Sequence, residues 1–224
     1  SRKKSIQQVL EKTLHKVLQE KIKLIASGRT DAGVHALAQV ANFKTNSNIT
    51  ADKLQKALNG LLPEDISIAK VEEKNLNFHS RFDAKSKVYR YNILNRSYPC
   101  ALLRNTVYFY PYGLDIKLMR QEAGHLLGKH DFKSFCASGS STKNTVRTIK
   151  RITINKFPYS LQLTAYSLNE CSLVTIDIEA DGFLYNMVRN IVGTLLEIGR
   201  KKLPKGRIKR ILEARDRRLA GPTA

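Results

Sequence analysis

The chain has 224 residues, 42% of them hydrophobic, and carries 39 lysines and arginines against 19 aspartates and glutamates, a net charge of +20. That length holds one large domain or two small ones around an ordinary core, and no apolar run is long enough to span a bilayer. So large a cationic excess selects polyanions, nucleic acid ahead of an anionic membrane surface.

In chain order, Ile6, Val9, Leu10, Leu14, Val17 and Leu18 recur at helical spacing and predict an amphipathic helix over about residues 4–20. Apolar stretches at 22–26 and 37–43 predict two strands framing a turn. A helix is expected over about residues 51–61 with Thr50 as its N-cap, then a strand through Ile66, Ile68 and Val71. The pattern starts again at Phe78. Tyr89, Tyr91 and Ile93 alternate along a strand at 86–95, and 106–110 is a short strand. Asp115 should cap a helix containing Leu118, Met119, Leu126 and Leu127 and ended by Gly128. Residues 137–144 are a polar loop without periodicity, followed by strands near 145–155, 159–166 and 172–180. Leu184, Met187, Val188, Ile191, Val192, Leu195 and Leu196 make a strongly apolar helix with Gly199 as its stop, and a short basic helix covers about residues 204–214.

Strands interrupted irregularly by helices argue an α+β fold with a mixed or largely antiparallel sheet. The restart divides the chain into 1–77 and 78–224, and without a Gly/Pro-rich linker the halves are expected to share a sheet. Cys100, Cys136 and Cys171 are an odd number at wide spacing and read as reduced thiols of a cytoplasmic protein. No apolar leader opens the chain, so secretion is not expected. The five histidines show no metal-ligand spacing, so no metal is expected.

Chemistry concentrates in Gly28-Arg29-Thr30-Asp31-Ala32-Gly33-Val34-His35-Ala36. Asp31 sits in a glycine-bounded turn between two strand-like stretches, with a cation two residues before it and an imidazole four after. An acid at such an apex is presented to solvent on a rigid base, as a nucleophile or general base is. A plain turn fits the same residues. A phosphate loop does not, because Val34-His35 stands where Lys and Ser/Thr are required.

The nonapeptide matches, residue for residue, the signature of the pseudouridine synthases that modify tRNA, and the chain resembles the tRNA pseudouridine synthase A family. Leu62-Pro63-Glu64-Asp65-Ile66, Phe78-His79-Ser80-Arg81-Phe82 (with Ser80 for the usual alanine), Lys87-Val88-Tyr89-Arg90-Tyr91, Asp131-Phe132-Lys133-Ser134-Phe135 and Met187-Val188-Arg189-Asn190-Ile191-Val192-Gly193 resemble its other blocks. The family begins with a further strand and ends with another, so this chain is expected to be trimmed at both ends. The resemblance implies two related sheet-and-helix halves fused into one mixed, mainly antiparallel sheet, with the active cleft between them.

It also implies an isomerase without cofactor or metal, acting on uridines 38 to 40 of the tRNA anticodon arm as a homodimer. Asp31 is then the nucleophile. Tyr89 stacks on the flipped uracil, where alone it reads as a core tyrosine. Arg29 fills the vacated stack or grips a phosphate, where alone it is a solvated turn cation. Arg189 holds Asp31, where alone a guanidinium on an apolar helix requires some buried anion or a bend toward solvent. His35 reads as a residue that fixes the turn. Ten cations between Arg200 and Arg218, with only Glu213 and Asp216 opposing them, read as a phosphate track rather than a solvated mixed-sign face. The rival from another class is a non-catalytic RNA-binding or RNA-folding protein on the same scaffold.

Overall fold

The computed structural model describes residues 4–139, 142–158 and 171–224, and the chain divides into two units, Ser1–Ala84 and Lys85–Ala224. In the first unit, α1 (Ile6–Leu18) starts at a reciprocal cap: the Ser5 hydroxyl accepts from the Gln8 amide, and the Gln8 side chain accepts from the Ser5 amide. Leu14 and Leu18 pack with Ile22, Leu24 and with Leu54 and Leu58 of α2 (Ala51–Leu61). Thr50 holds the N-cap dihedrals of α2 as expected, but its side chain makes no capping bond.

The strands foreseen at 22–26 and 37–43 shrink to a two-residue antiparallel pair, β1 (Ile25–Ala26) and β2 (Ala41–Asn42). Backbone groups must find partners somewhere, and here helix side chains supply them. The Leu24 amide donates to Glu11 and the Leu24 carbonyl accepts from Gln7, both on α1. The strand foreseen through Ile66 and Val71 is absent for the same reason. The Ile68 amide donates to the Asn59 side chain, and the Ile68 and Ala69 carbonyls accept from Gln55 and Asn59 of α2.

In the second unit, β3 (Lys87–Asn95), β4 (Tyr108–Tyr110), β5 (Gly128–Asp131), β6 (Val146–Pro158) and β7 (Ser172–Ala180) form one sheet in the order β4-β3-β7-β6-β5. Only β3 and β4 run parallel, so the mixed, mainly antiparallel α+β class holds. Among the described residues the ladders fall into one sheet per unit rather than a shared one. The strand expected at 159–166 and residues 140–141 of the polar loop lie outside the described residues.

Asp115 caps α3 (Ile116–Ala123) by accepting from the Leu118 amide. That helix ends earlier than expected, passing through a 3-10 turn at Gly124–Leu126, and Gly128, at φ +93°, begins β5 instead of closing the helix. α4 (Met187–Gly199) is buried along nearly its whole length, as a helix apolar on all sides must be. Gly199 serves packing rather than a left-handed stop: a Cβ there would lie 2.6 Å from the Met119 sulfur of α3. α5 (Arg207–Ala214) has no acid in its own first turn. The fully buried Glu122 of α3 caps it instead, accepting from the amides of Gly206 at 2.6 Å and Ile208 at 3.2 Å.

Candidate active site

Asp31 lies exposed at the tip of the loop that joins β1 to β2. The Val34 amide donates to the Asp31 carbonyl at 3.2 Å, and Gly33, at φ +83°, supplies the positive dihedral which that tight turn requires. The neck of the loop is fastened across its two strands. The Ser27 amide donates to the Val40 carbonyl at 2.9 Å, the Ser27 hydroxyl to Gln39 Oε1 at 2.6 Å, and Gln39 Nε2 to the Gly28 carbonyl at 2.8 Å. Arg29 is exposed in the same loop. Below the neck, residues 78–82 brace the hairpin. The Ser80 amide donates to Asn42 Oδ1 at 3.0 Å, and the Ser80 hydroxyl, on a side chain only 3% exposed, donates to the Ile25 carbonyl at 2.6 Å. This hydroxyl is what the serine adds over alanine, a bond worth about 1 kcal/mol net.

Tyr89 and Arg189 belong to the second unit. Tyr89 is half-buried on β3 opposite Ile178 of β7, with its ring edge-on to Phe183 at 4.9 Å. The face of β3 that holds Tyr89 and Tyr91 packs against the unit's core. Arg189 takes the solvent-facing alternative. α4 is buried, yet Arg189 occupies its exposed edge near the N-terminal end. Its Nε donates to the Ala224 carbonyl at 2.7 Å, and its guanidinium also bonds the Tyr91 hydroxyl. Because its side chain is exposed, burial of the rest of α4 does not compel a buried anionic partner for it. Burial pushes the Tyr91 hydroxyl above its ordinary value of 10.0, and the Arg189 charge opposes that rise.

Comparison with known proteins decides what this arrangement belongs to. The family model described as tRNA pseudouridine synthase matches residues 1–83 and 123–224. Proteins named tRNA pseudouridine synthase A from Thermoanaerobacter sp. (strain X514) and Acetivibrio thermocellus are similar along nearly the whole chain. The first is 46% identical over 220 residues, covering 98% of this chain and 85% of the relative. The second is 45% identical over 221 residues, covering 99% and 85%. The relative from Clostridium acetobutylicum is 43% identical over 217 residues, covering 97% and 84%. The chain belongs to the tRNA pseudouridine synthase family.

As a tRNA pseudouridine synthase it is an isomerase, and its quoted blocks acquire structural reasons. Asn190, a residue that sequence reasoning missed, is fully buried. It donates to the Phe135 carbonyl at 2.8 Å and accepts from Arg217 at 2.9 Å and Thr223 at 2.6 Å, so it joins two motif blocks to the segment after α5. Gly193 leaves room for that segment, since a Cβ there would overlap the Pro222 carbonyl. The signal was present in sequence as an amide set among the apolar residues of α4.

The cation track is also partly structural. Arg217 is held by Asn190 and by the Gly221 carbonyl, Arg207 by the Leu219 carbonyl, and Arg215 by Asp131 at 3.2 Å. Arg200 stacks over the Tyr112 ring at 4.0 Å. Arg218 pairs with Asp216 at 2.7 Å and lowers that carboxyl to about 2. Lys201, Lys202, Lys205, Lys209 and Arg210 remain exposed, with no ion pair among the described residues. Also among the described residues, no helix is long and apolar enough to cross a membrane.

Proposed function

We propose that this cytoplasmic enzyme isomerises uridines in the anticodon arm of tRNA, at positions 38 to 40, with Asp31 as the nucleophile. The observation that carries the reading is the exposed Asp31 carboxylate on a loop whose neck is fastened from both sides. The N1–C1′ bond of uridine breaks, a C5–C1′ bond forms, C5 loses a proton and N1 gains one. Product and substrate have the same atoms and electrons, so the task is to hold and release carbon, which a carboxylate does.

A uridine in a stem must first leave its stack, at a cost of a few kcal/mol. Tyr89, half-buried on β3, is the ring on which the flipped base stacks, an interaction worth about 1–3 kcal/mol. Arg29, two residues from Asp31, fills the vacated place or grips a phosphate. Arg189 orients the Asp31 carboxylate. The exposed cations around α5 follow the tRNA backbone, and a homodimer grips the tRNA across both subunits.

The test is tritium release from tRNA labelled at C5 of uridine. Asp31→Asn should abolish release while leaving tRNA binding within about threefold, because a carboxylate-to-amide change removes the nucleophile and keeps its size. Release at the parental rate would end the assignment.

A further inference from the structure

The Asp31 loop leaves the β1–β2 pair at a defined point. The Ser27 amide to Val40 carbonyl bond is the last rung before the strands part, and Gln39 spans the gap above it. Its Oε1 accepts from the Ser27 hydroxyl at 2.6 Å, and its Nε2 donates to the Gly28 carbonyl at 2.8 Å. One planar amide therefore engages two consecutive residues of the opposite strand, one by each of its polar atoms. A hydroxyl that donates and a carbonyl that accepts together fix which way the amide faces. Glutamate lacks the donor, lysine lacks the acceptor, and asparagine is one methylene short.

Asp31 lies three residues past Gly28, so any drift of the Gly28 carbonyl is passed to the carboxylate over a short run of chain. Gln39 is exposed and outside the core formed by α1 and α2, which limits what its bonds add to global stability. We infer that Gln39, assisted by Ser27, is a positioning residue for isomerisation, holding the Asp31 loop in register at its neck. The inference rests on Asp31 being the reacting carboxylate.

The proposal is tested on the full chain with Gln39→Ala, Gln39→Glu and Ser27→Ala. Single-turnover tritium release, tRNA affinity, thermal midpoint and amide hydrogen exchange across residues 28–36 are measured on each. Gln39→Ala should slow the single turnover by about a hundredfold, since misplacing a reacting group by about an ångström costs that much. Affinity and thermal midpoint should stay parental, and the Val34 amide should exchange faster. Gln39→Glu keeps the acceptor for Ser27 but sets a carboxylate against the Gly28 carbonyl, and should be as slow as Gln39→Ala. Ser27→Ala should fall between these variants and the parent.

A parental single-turnover rate for Gln39→Ala overturns the proposal. So does a rate loss matched by an equal loss of thermal stability, which would make Gln39 a general fold residue. The exchange measurement separates the two readings. If Asp31→Asn still turns over, the nucleophile assignment fails alone, and loop exchange still reports whether Gln39 holds the neck. Unchanged exchange in Gln39→Ala refutes the clamp whatever Asp31 does.

Discussion

Tyr91 is the residue that the sequence placed on the right face of a strand without assigning it a task. Its hydroxyl meets Arg189, and burial is what raises its ionisation above 10.0, with the guanidinium pulling the other way. The sign of the consequence follows from linkage. The folded protein holds the Tyr91 proton more tightly than the unfolded chain, so this contribution to stability is complete below about pH 10 and is lost as pH rises through the folded value. Tyr91→Phe should therefore reduce the loss of stability seen on going above about pH 10, measured by denaturant midpoints across that range. An identical alkaline loss in the variant would show that Tyr91 is not its source. The Asp31 turn was legible from one nonapeptide because its features are local: Gly33 at positive φ and a carboxylate two residues earlier. The Gln39 clamp was not, since a glutamine reaching a carbonyl eleven residues back leaves no pattern in composition or periodicity.

At the scale of elements, helices were read closely and first-unit strands were not. α2 matches its expected span because its start and its apolar spacing are properties of the segment alone. The stretches at 22–24 and 66–69 are extended and apolar like strands, but Glu11, Gln7, Gln55 and Asn59 take the bonds a neighbouring strand would take. Strand assignment depends on a partner, which no single segment encodes. The basic segment around α5 was legible as charge but not as a division of labour, since five of its arginines are committed to partners within the second unit. Neutral replacements at Lys201, Lys202, Lys209 and Arg210 should flatten the fall of log tRNA affinity with log salt by about 0.7–0.9 for each phosphate no longer neutralised. The saturated single-turnover rate should hardly change. A salt titration of binding decides it, and a parental slope would remove these cations from the interface.

Across the whole molecule, the exposure of the Arg189 side chain sets what its loss should cost in stability. A buried ion pair broken on one side costs about 3–5 kcal/mol, whereas a pair made by an exposed side chain is worth about 0–1 kcal/mol. Arg189→Met should therefore slow turnover by about a hundredfold, as loss of one preorganised electrostatic partner does, with a near-parental thermal midpoint. A drop of several kcal/mol in stability would mean instead that Arg189 anchors the fold. The family was legible from sequence because its blocks are contiguous, but the roles proposed for Asp31, Tyr89 and Arg189 were not legible in that way, since the three residues lie far apart in the chain. The net charge of +20 also sets a problem of repulsion in the free protein, and Glu122 bears on it. The most cationic helix has its N-terminal end secured by a carboxylate that belongs to α3 and is hidden from solvent. On the proposed reading, in which the cations of α5 follow the tRNA backbone, RNA binding then depends on a residue hidden from solvent. Glu122→Gln, which replaces one acceptor oxygen by a donor, should weaken tRNA binding although every cation is retained, and parental affinity in that variant would show that the helix holds its place without the borrowed cap.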